Sequence, residues 1–366
     1  MRTGTASLPL HTGKAPPWLF GRMATLAREI VIYLSSEFGT REVLRRLSDP
    51  FWFQAFGCVL GFDWHSSGVT TTVCGAVKEG LRGGLDGELG FFAAGGKGGA
   101  SRKTPAQVTE VCERIGRDPL PLVYASKTAA KVDSAAVQDG YQLYHHAFFF
   151  TAVGDWCVVQ QGMSDATRTA RRYHWLSEEM SSFVEEPHQA VCCDQTNETL
   201  NLVAEESAGV RSGSVELALQ RPEITLREMS KVPELAMPAR HTLFPELDVP
   251  SRHLQKILTT TYERAPPNFE ALLGIEGVGP KTLRALSLTS ELLHGTSASM
   301  RDPARFAFAH GGKDGTPFPV DRATYDRTIE ILGLAINKAA VARTEKVQAF
   351  KRLAELGKED TTEGES

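Results

Sequence analysis

His145-His146-Ala147-Phe148-Phe149-Phe150-Thr151-Ala152-Val153-Gly154-Asp155-Trp156-Cys157-Val158-Val159-Gln160-Gln161 is the stretch that decides the fold class. Two runs rich in aromatic and β-branched residues flank the turn sequence Val153-Gly154-Asp155, so the stretch reads as a β-hairpin. Side chains alternate across a strand, so His145 and His146 go to opposite faces and only one of them joins a site. Gln160 and Gln161 follow an apolar run. A polar group on a strand face costs free energy if it is buried without a partner, so one of the two is expected to line a polar pocket.

The residues around the hairpin extend that expectation. Ser126 to His174 is dense in polar groups, among them Lys127, Lys131, Asp133, Asp139, Arg171, Arg172 and His174. Asp133, Asp139 and one hairpin histidine, taken as His145, form a candidate site for Mg²⁺ or Mn²⁺ in phosphodiester cleavage. Lys127 or Lys131 would stabilise the transition state there, and Gln160 would line the pocket. Leu122-Val123-Tyr124 reads as a strand, and 165–174, with Arg168, Arg171 and Arg172, as a basic helix.

Toward the N-terminus the pattern is helical. Pro16-Pro17 opens an amphipathic segment with Trp18, Leu19, Met23, Leu26, Ile30 and Val31 on one face. Asp49-Pro50 is a cap with a first-turn proline, and the following Phe51-Trp52-Phe53-Gln54-Ala55-Phe56 is apolar almost all round, which predicts a buried helix. Asp63-Trp64-His65-Ser66-Ser67-Gly68 then breaks the pattern before a helix over about 69–81. It is a candidate phosphate pocket, with Asp63 or His65 as metal ligand or base and Ser67 as cap. Glycines crowd residues 83–99, with a short strand near Gly90-Phe91-Phe92-Ala93. The basic loop Lys97, Arg102 and Lys103 precedes a helix opened by Thr104-Pro105 and is a candidate backbone contact.

Toward the C-terminus, Pro233, Pro238, Pro245 and Pro250 mark a linker region, and the chain is helical from Ser251 onward. Leu272-Leu273-Gly274-Ile275-Glu276-Gly277-Val278-Gly279-Pro280-Lys281-Thr282-Leu283-Arg284-Ala285-Leu286 carries apolar residues at helical spacing on both sides of Gly-Val-Gly. Gly277 and Gly279 allow positive φ and close approach to a phosphate. A helix starting near Pro280 would aim its free N–H groups at that anion, with Lys281 and Thr282 in its first turn. The segment resembles the helix-hairpin-helix of DNA repair and recombination proteins. That resemblance implies binding to the DNA backbone through Gly277, Val278, Gly279, Lys281 and Thr282, blind to base sequence.

A second resemblance is to base-excision glycosylases, which place a lysine after such a hairpin and an aspartate further on. Lys281 and Asp321, in Pro319-Val320-Asp321, would fill those roles as amine nucleophile and charge partner. Arg322-Ala323 stands where that family has Thr-His, and 298–318 reads as an insertion. The simpler reading of Asp321 is as the cap of a helix over about 322–334.

A longer signature joins Phe51-Trp52-Phe53-Gln54, Asp63-Trp64-His65-Ser66-Ser67-Gly68, Gln138-Asp139-Gly140-Tyr141-Gln142-Leu143-Tyr144-His145-His146 and Val159-Gln160-Gln161-Gly162-Met163. It resembles an archaeal and bacterial family described as domain of unknown function 763. The resemblance covers nearly the whole chain and implies no activity.

Charge, length and cysteines set the bounds. The net charge of −4 over 366 residues argues against a simple nucleic-acid binder. Its distribution does not: residues 1–175 and 251–351 each carry +4, around a 176–250 block of −9. The six cysteines have no zinc spacing and read as reduced core residues. No apolar run is long enough to span a bilayer and no secretory leader is apparent, so a cytoplasmic protein is expected.

The sequence thus predicts an α+β protein. A mixed N-terminal domain over 1–175 holds the catalytic set Asp63, His65, Lys131, Asp133, Asp139, His145 and Gln160. An acidic connector over 176–250 follows, then an all-α helix-hairpin-helix domain over 251–353 and a disordered tail over 354–366. The function expected is a DNA-processing enzyme, foremost a metal-dependent nuclease. The alternatives are a glycosylase/lyase using Lys281 and Asp321, or a DNA-binding protein without catalysis. RNA as substrate and homo-oligomerisation stay open.

Overall fold

The computed structural model describes residues 15–62, 67–178, 180–193, 195–230, 252–304 and 322–358. Asp63, His65 and Asp321 lie outside them, as do the linker prolines and the expected tail beyond 358.

The N-terminal layer forms as its sequence demands. Helices α1 (Pro17–Phe38), α2 (Thr40–Ser48), α3 (Pro50–Leu60), α4 (Gly68–Gly80) and α5 (Leu85–Leu89) follow one another. Asp49 caps α3, its Oδ1 accepting from the N–H groups of Phe51 and Trp52 at 2.9 Å each. Ser67 makes no side-chain cap for α4. Strand β1 (Phe91–Lys97) leads through a 3-10 turn, Gly98–Lys103, into α6 (Thr104–Arg114) and α7 (Leu120–Lys131). The strand expected at 122–124 is thus part of α7. A short apolar run does not distinguish a strand from a buried helix turn, and Pro119 and Pro121 sit where a first helical turn tolerates them.

The predicted hairpin is the centre of the sheet. Strand β2 (Val137–Gln138) precedes β3 (Gln142–Thr151) and β4 (Trp156–Ser164), the hairpin pair; β5 (Thr169–Leu176), β6 (Ala190–Cys192) and β7 (Leu200–Asn201) follow. The main sheet is antiparallel in the order β1-β3-β4-β5-β6, and β2 pairs with β7. The basic helix expected over 165–174 is instead an exposed turn over 165–168 followed by β5, whose residues are all buried. Arg171 and Arg172 emerge on opposite faces, as strand alternation requires, and each finds its partners on its own side.

Helices cover both faces of this sheet. One core holds Phe91, Ala147, Phe149, Cys157 and Val159 against α1 to α4 and against α13 (Arg322–Lys338) and α14 (Arg343–Lys358). Arg352 ties that layer together, donating to the Val59 carbonyl at 2.7 Å. The other core holds Phe92, Phe148, Val158, Tyr173 and Trp175 against α6, α7, α8 (Ala208–Ala218), α9 (Pro222–Met229), α10 (Arg252–Arg264), α11 (Phe269–Gly274) and α12 (Pro280–His294). The stretch expected as an acidic connector supplies Val191, Leu202, Val210 and Leu217 to this core, and the C-terminal helices pack into the same core as the sheet. All six cysteines are buried thiols. Among the described residues no helix is long and apolar enough to cross a membrane.

Candidate active-site cleft

Two adjacent strands and one helix build the site. His146 on β3 stands opposite Gln160 on β4 in register, so their side chains share one face. Ser126 comes from α7, which packs over that face. Asp133 comes from the π-helical turn Val132–Ala136 that ends α7. Gly95 lets β1 press against this corner. Its φ is +90°, and a methyl there would lie 2.1 Å from the His146 carbonyl oxygen, which only glycine avoids.

The hydrogen bonds at this corner have one consistent polarity. The Trp175 indole N–H can only donate, and it reaches Asp133 Oδ2 at 2.9 Å. Gln160 Nε2 donates to the same oxygen at 2.6 Å. That turns Gln160 Oε1 toward His146 Nδ1, 2.9 Å away. A carbonyl oxygen only accepts, so Nδ1 carries the proton. Burial lowers the His146 pKa, which leaves Nε2 unprotonated. The Nε2 lone pair faces Ser126 Oγ at 2.9 Å, so the hydroxyl donates to it. His188 Nε2 meets the other carboxylate oxygen, Asp133 Oδ1, at 2.5 Å.

A cleft of about 230 Å³ opens over this chain. Ser101, Arg102, Pro105, Ser126, Lys127, Ala130, Leu143, Tyr144, His145, His146 and Gln160 line it. Arg102 and Lys127 are exposed, and no carboxylate is among the lining residues. Lys97 lies beside it, its ammonium 5.6 Å from the Tyr144 ring centre. Lys103 is exposed in the preceding turn.

The expected metal site does not assemble. Both oxygens of Asp133 accept from the donors just named. Asp139 Oδ1 accepts from the Tyr141 N–H at 3.0 Å, and its Oδ2 from the Tyr173 hydroxyl at 2.6 Å and from Arg171 at 2.9 Å. Arg171 in turn clasps Asp302 through two bonds of 2.9 and 2.7 Å and lies 4.5 Å over the Tyr141 ring. Burial pushes the Asp139 carboxyl up against the opposing pull of Arg171 and Tyr173. His145 pairs in register with Gln161, so although it borders the cleft its side chain is on the other face of the sheet from His146. Burial, with His146 and Lys97 nearby, lowers its pKa to about 3, and neither ring nitrogen has a partner among the described residues. Among those residues no group of three or more His, Cys, Asp or Glu stands close enough to hold a metal ion. Asp133, Asp139 and His145 therefore do not come together as a ligand set: each carboxylate is held by its own protein donors, and strand alternation turns the histidine side chain away from them.

Gln160 lines the cleft, and the histidine whose side chain meets it is His146, not His145. Lys131 is half-buried at the end of α7, its pKa lowered by desolvation, and it does not line the cleft. Ser126, Trp175 and His188 were not expected to contribute. Ser126 opens the polar-dense stretch, but nothing in its neighbours singles it out. Trp175 and His188 are recruited from a strand and a loop far along the chain.

On the C-terminal side, α11 and α12 are joined by the turn 275–279. Gly277 is exposed at φ +90°, Val278 is fully buried, and Gly279 is extended at φ −124°. Gln138 fastens this pair to the sheet. Its Nε2 donates to the Pro280 carbonyl at 2.9 Å, and its Oε1 accepts from buried Arg284 at 2.7 Å.

Comparison with known proteins adds a family and no activity. No curated protein and no solved structure matches the chain. A family model described as "Protein of unknown function (DUF763)" matches residues 4–320, which include the cleft, the sheet and the α11–α12 pair. The chain belongs to that family.

Proposed function

We propose that the chain is a DNA-binding, DNA-processing protein that grips the sugar-phosphate backbone through the α11–α12 turn, a helix-hairpin-helix. The observation that carries this reading is the conformation of the turn. Gly277 is exposed in the left-handed region that favours glycine. Val278 is the buried wedge beneath it, with Ile275, Leu283 and Leu286 holding the two helices. The 15-residue helix α12 starts directly after Gly279, so its positive end lies at the turn. Lys281 is exposed in its first turn. Thr282 is buried, so its hydroxyl drops out of the expected grip.

The reading keeps the backbone grip and revises the catalytic half. A nuclease that uses Mg²⁺ or Mn²⁺ needs ligands other than the Asp133, Asp139 and His145 set; Asp63 and His65 are the remaining candidates of the sequence. The test is retention of duplex DNA across a salt series. Affinity should fall linearly with log salt, and Lys281→Ala should weaken binding equally for unrelated sequences while reducing the slope by about one. A parallel single-stranded RNA arm reads nucleic-acid preference. Failure to retain DNA at low salt would sink the reading.

A further inference from the structure

We propose that Ser126 and His146 are the nucleophile and base of a phosphatase site, which transfers the phosphoryl group of a phosphate monoester to water through a phosphoserine at Ser126. The inference does not rest on DNA binding, since the cleft and the α11–α12 turn are different surfaces of the chain.

The geometry has the three parts that activate a hydroxyl. The nucleophile lies within hydrogen-bond reach of a base, at 2.9 Å, and the base is oriented by a third group. That third group is Gln160, itself fixed by Asp133. Its carbonyl sets the imidazole tautomer that leaves Nε2 free to take a proton. Any buried Ser–His pair needs partners for its polar atoms, so it is the opening above it that sets this pair apart. Here both residues line a cleft.

The cleft also selects the substrate. Arg102 and Lys127 supply two positive charges with no carboxylate opposing them. A guanidinium forks onto two phosphoryl oxygens, and an ammonium adds a point charge to the third. Charge on those equatorial oxygens is what a phosphoryl-transfer site has to stabilise. An acyl ester lacks that dianionic group. A volume of about 230 Å³ admits a phosphoryl group and the first atoms of its alcohol, not a duplex.

The steps balance without a redox partner. Ser126 Oγ attacks phosphorus as its proton passes to His146 Nε2. The Oγ–P bond forms, the ester P–O bond breaks, and the leaving alkoxide takes the proton from His146. Water then attacks the phosphoserine, its proton going to His146 Nε2. Phosphate leaves, and Ser126 Oγ recovers the proton.

The experiment uses the full chain in EDTA with p-nitrophenyl phosphate, p-nitrophenyl acetate and a 5′-phosphorylated oligonucleotide. Acid-quenched samples are digested and their peptide masses read. The proposal expects release of p-nitrophenol from the phosphate ester and a one-phosphoryl mass increase on the peptide containing Ser126. Ser126→Ala should abolish the adduct and lower turnover by at least roughly a hundredfold. Turnover of the oligonucleotide as well as the aryl ester assigns a strand-end phosphate; turnover of the aryl ester alone assigns a small-molecule ester. Three results would overturn the proposal: no phosphate release in EDTA, hydrolysis of the acetate alone, or a wild-type chain that turns over without labelling that peptide. The last does not depend on any variant folding.

Discussion

Gln160 shows how one side chain sets the chemistry of its neighbours. Its amide has one donor end and one acceptor end, and Asp133 takes the donor end. His146 is left with a single tautomer and Ser126 with a single direction for its hydroxyl. Gln160→Leu would keep the volume and strip both bonds, leaving His146 Nδ1 buried without a partner and Asp133 Oδ2 with the Trp175 donor alone. An orphaned buried group costs about 1–3 kcal/mol, so urea unfolding should show a loss of roughly that size. Gln142→Leu, on the same hairpin but exposed, should stay within about 0.5 kcal/mol of the parent. Equal effects would mean that the chain is not what holds this corner.

At the scale of the element, β5 is the clearest departure from what its sequence suggests. Thr169-Ala170-Arg171-Arg172-Tyr173-His174-Trp175-Leu176 has no alternation of polar and apolar residues, because both faces of the strand are covered. Its charges are satisfied by side chains from distant parts of the chain. Arg171 meets Asp139 and Asp302, whereas Arg172 meets Gln54 at 3.1 Å and lies 4.6 Å over the Phe53 ring. Burial lowers the Arg172 pKa to about 10. Removing one partner of a buried ion pair strands the other. Arg171→Leu should therefore cost about 3–5 kcal/mol, while the triple change with Asp139→Asn and Asp302→Asn should recover much of it. Chemical denaturation of the single and triple variants decides this. A single variant as stable as the parent would remove the clasp from the stability of β5.

At the scale of the whole molecule, the two helical layers bury histidines on both faces of one sheet, and this sets the acid limit of the fold. Burial lowers the pKa of His145 to about 3, lowers that of His146, and holds that of His174 well below its usual value. The unfolded chain protonates these rings from about pH 6.5 downward, while the native chain resists. The unfolded state therefore binds more protons, and stability falls as pH drops below about 6.5. The slope approaches roughly 1.4 kcal/mol per pH unit for each ring. Asp139 works in the opposite sense, since its raised carboxyl is relieved on protonation, but it is one group against three. Urea midpoints between pH 7.5 and 4.5 should drop steeply. A flat profile would mean that these rings are charged in the folded protein.

The sequence by itself determined the elements whose signals are local. The hairpin follows from aromatic runs around a turn, α3 from a cap and a first-turn proline, and the α11–α12 pair from glycines placed between two apolar spacings. It also determined that His145 and His146 part company, because alternation is a property of any strand. Tertiary structure alone decided which of the two histidines meets Gln160, since register and the covering helix choose the face. It alone turned 122–124 into helix, where a short apolar run is ambiguous, and 169–174 into strand, where burial of both faces removes the alternation that would mark one. It also took the two carboxylates away from a metal and gave them to Trp175, His188, Tyr173 and Arg171. Those partners lie up to 55 residues away in the chain, as with His188 and Asp133, and only packing brings a buried acceptor to its donors.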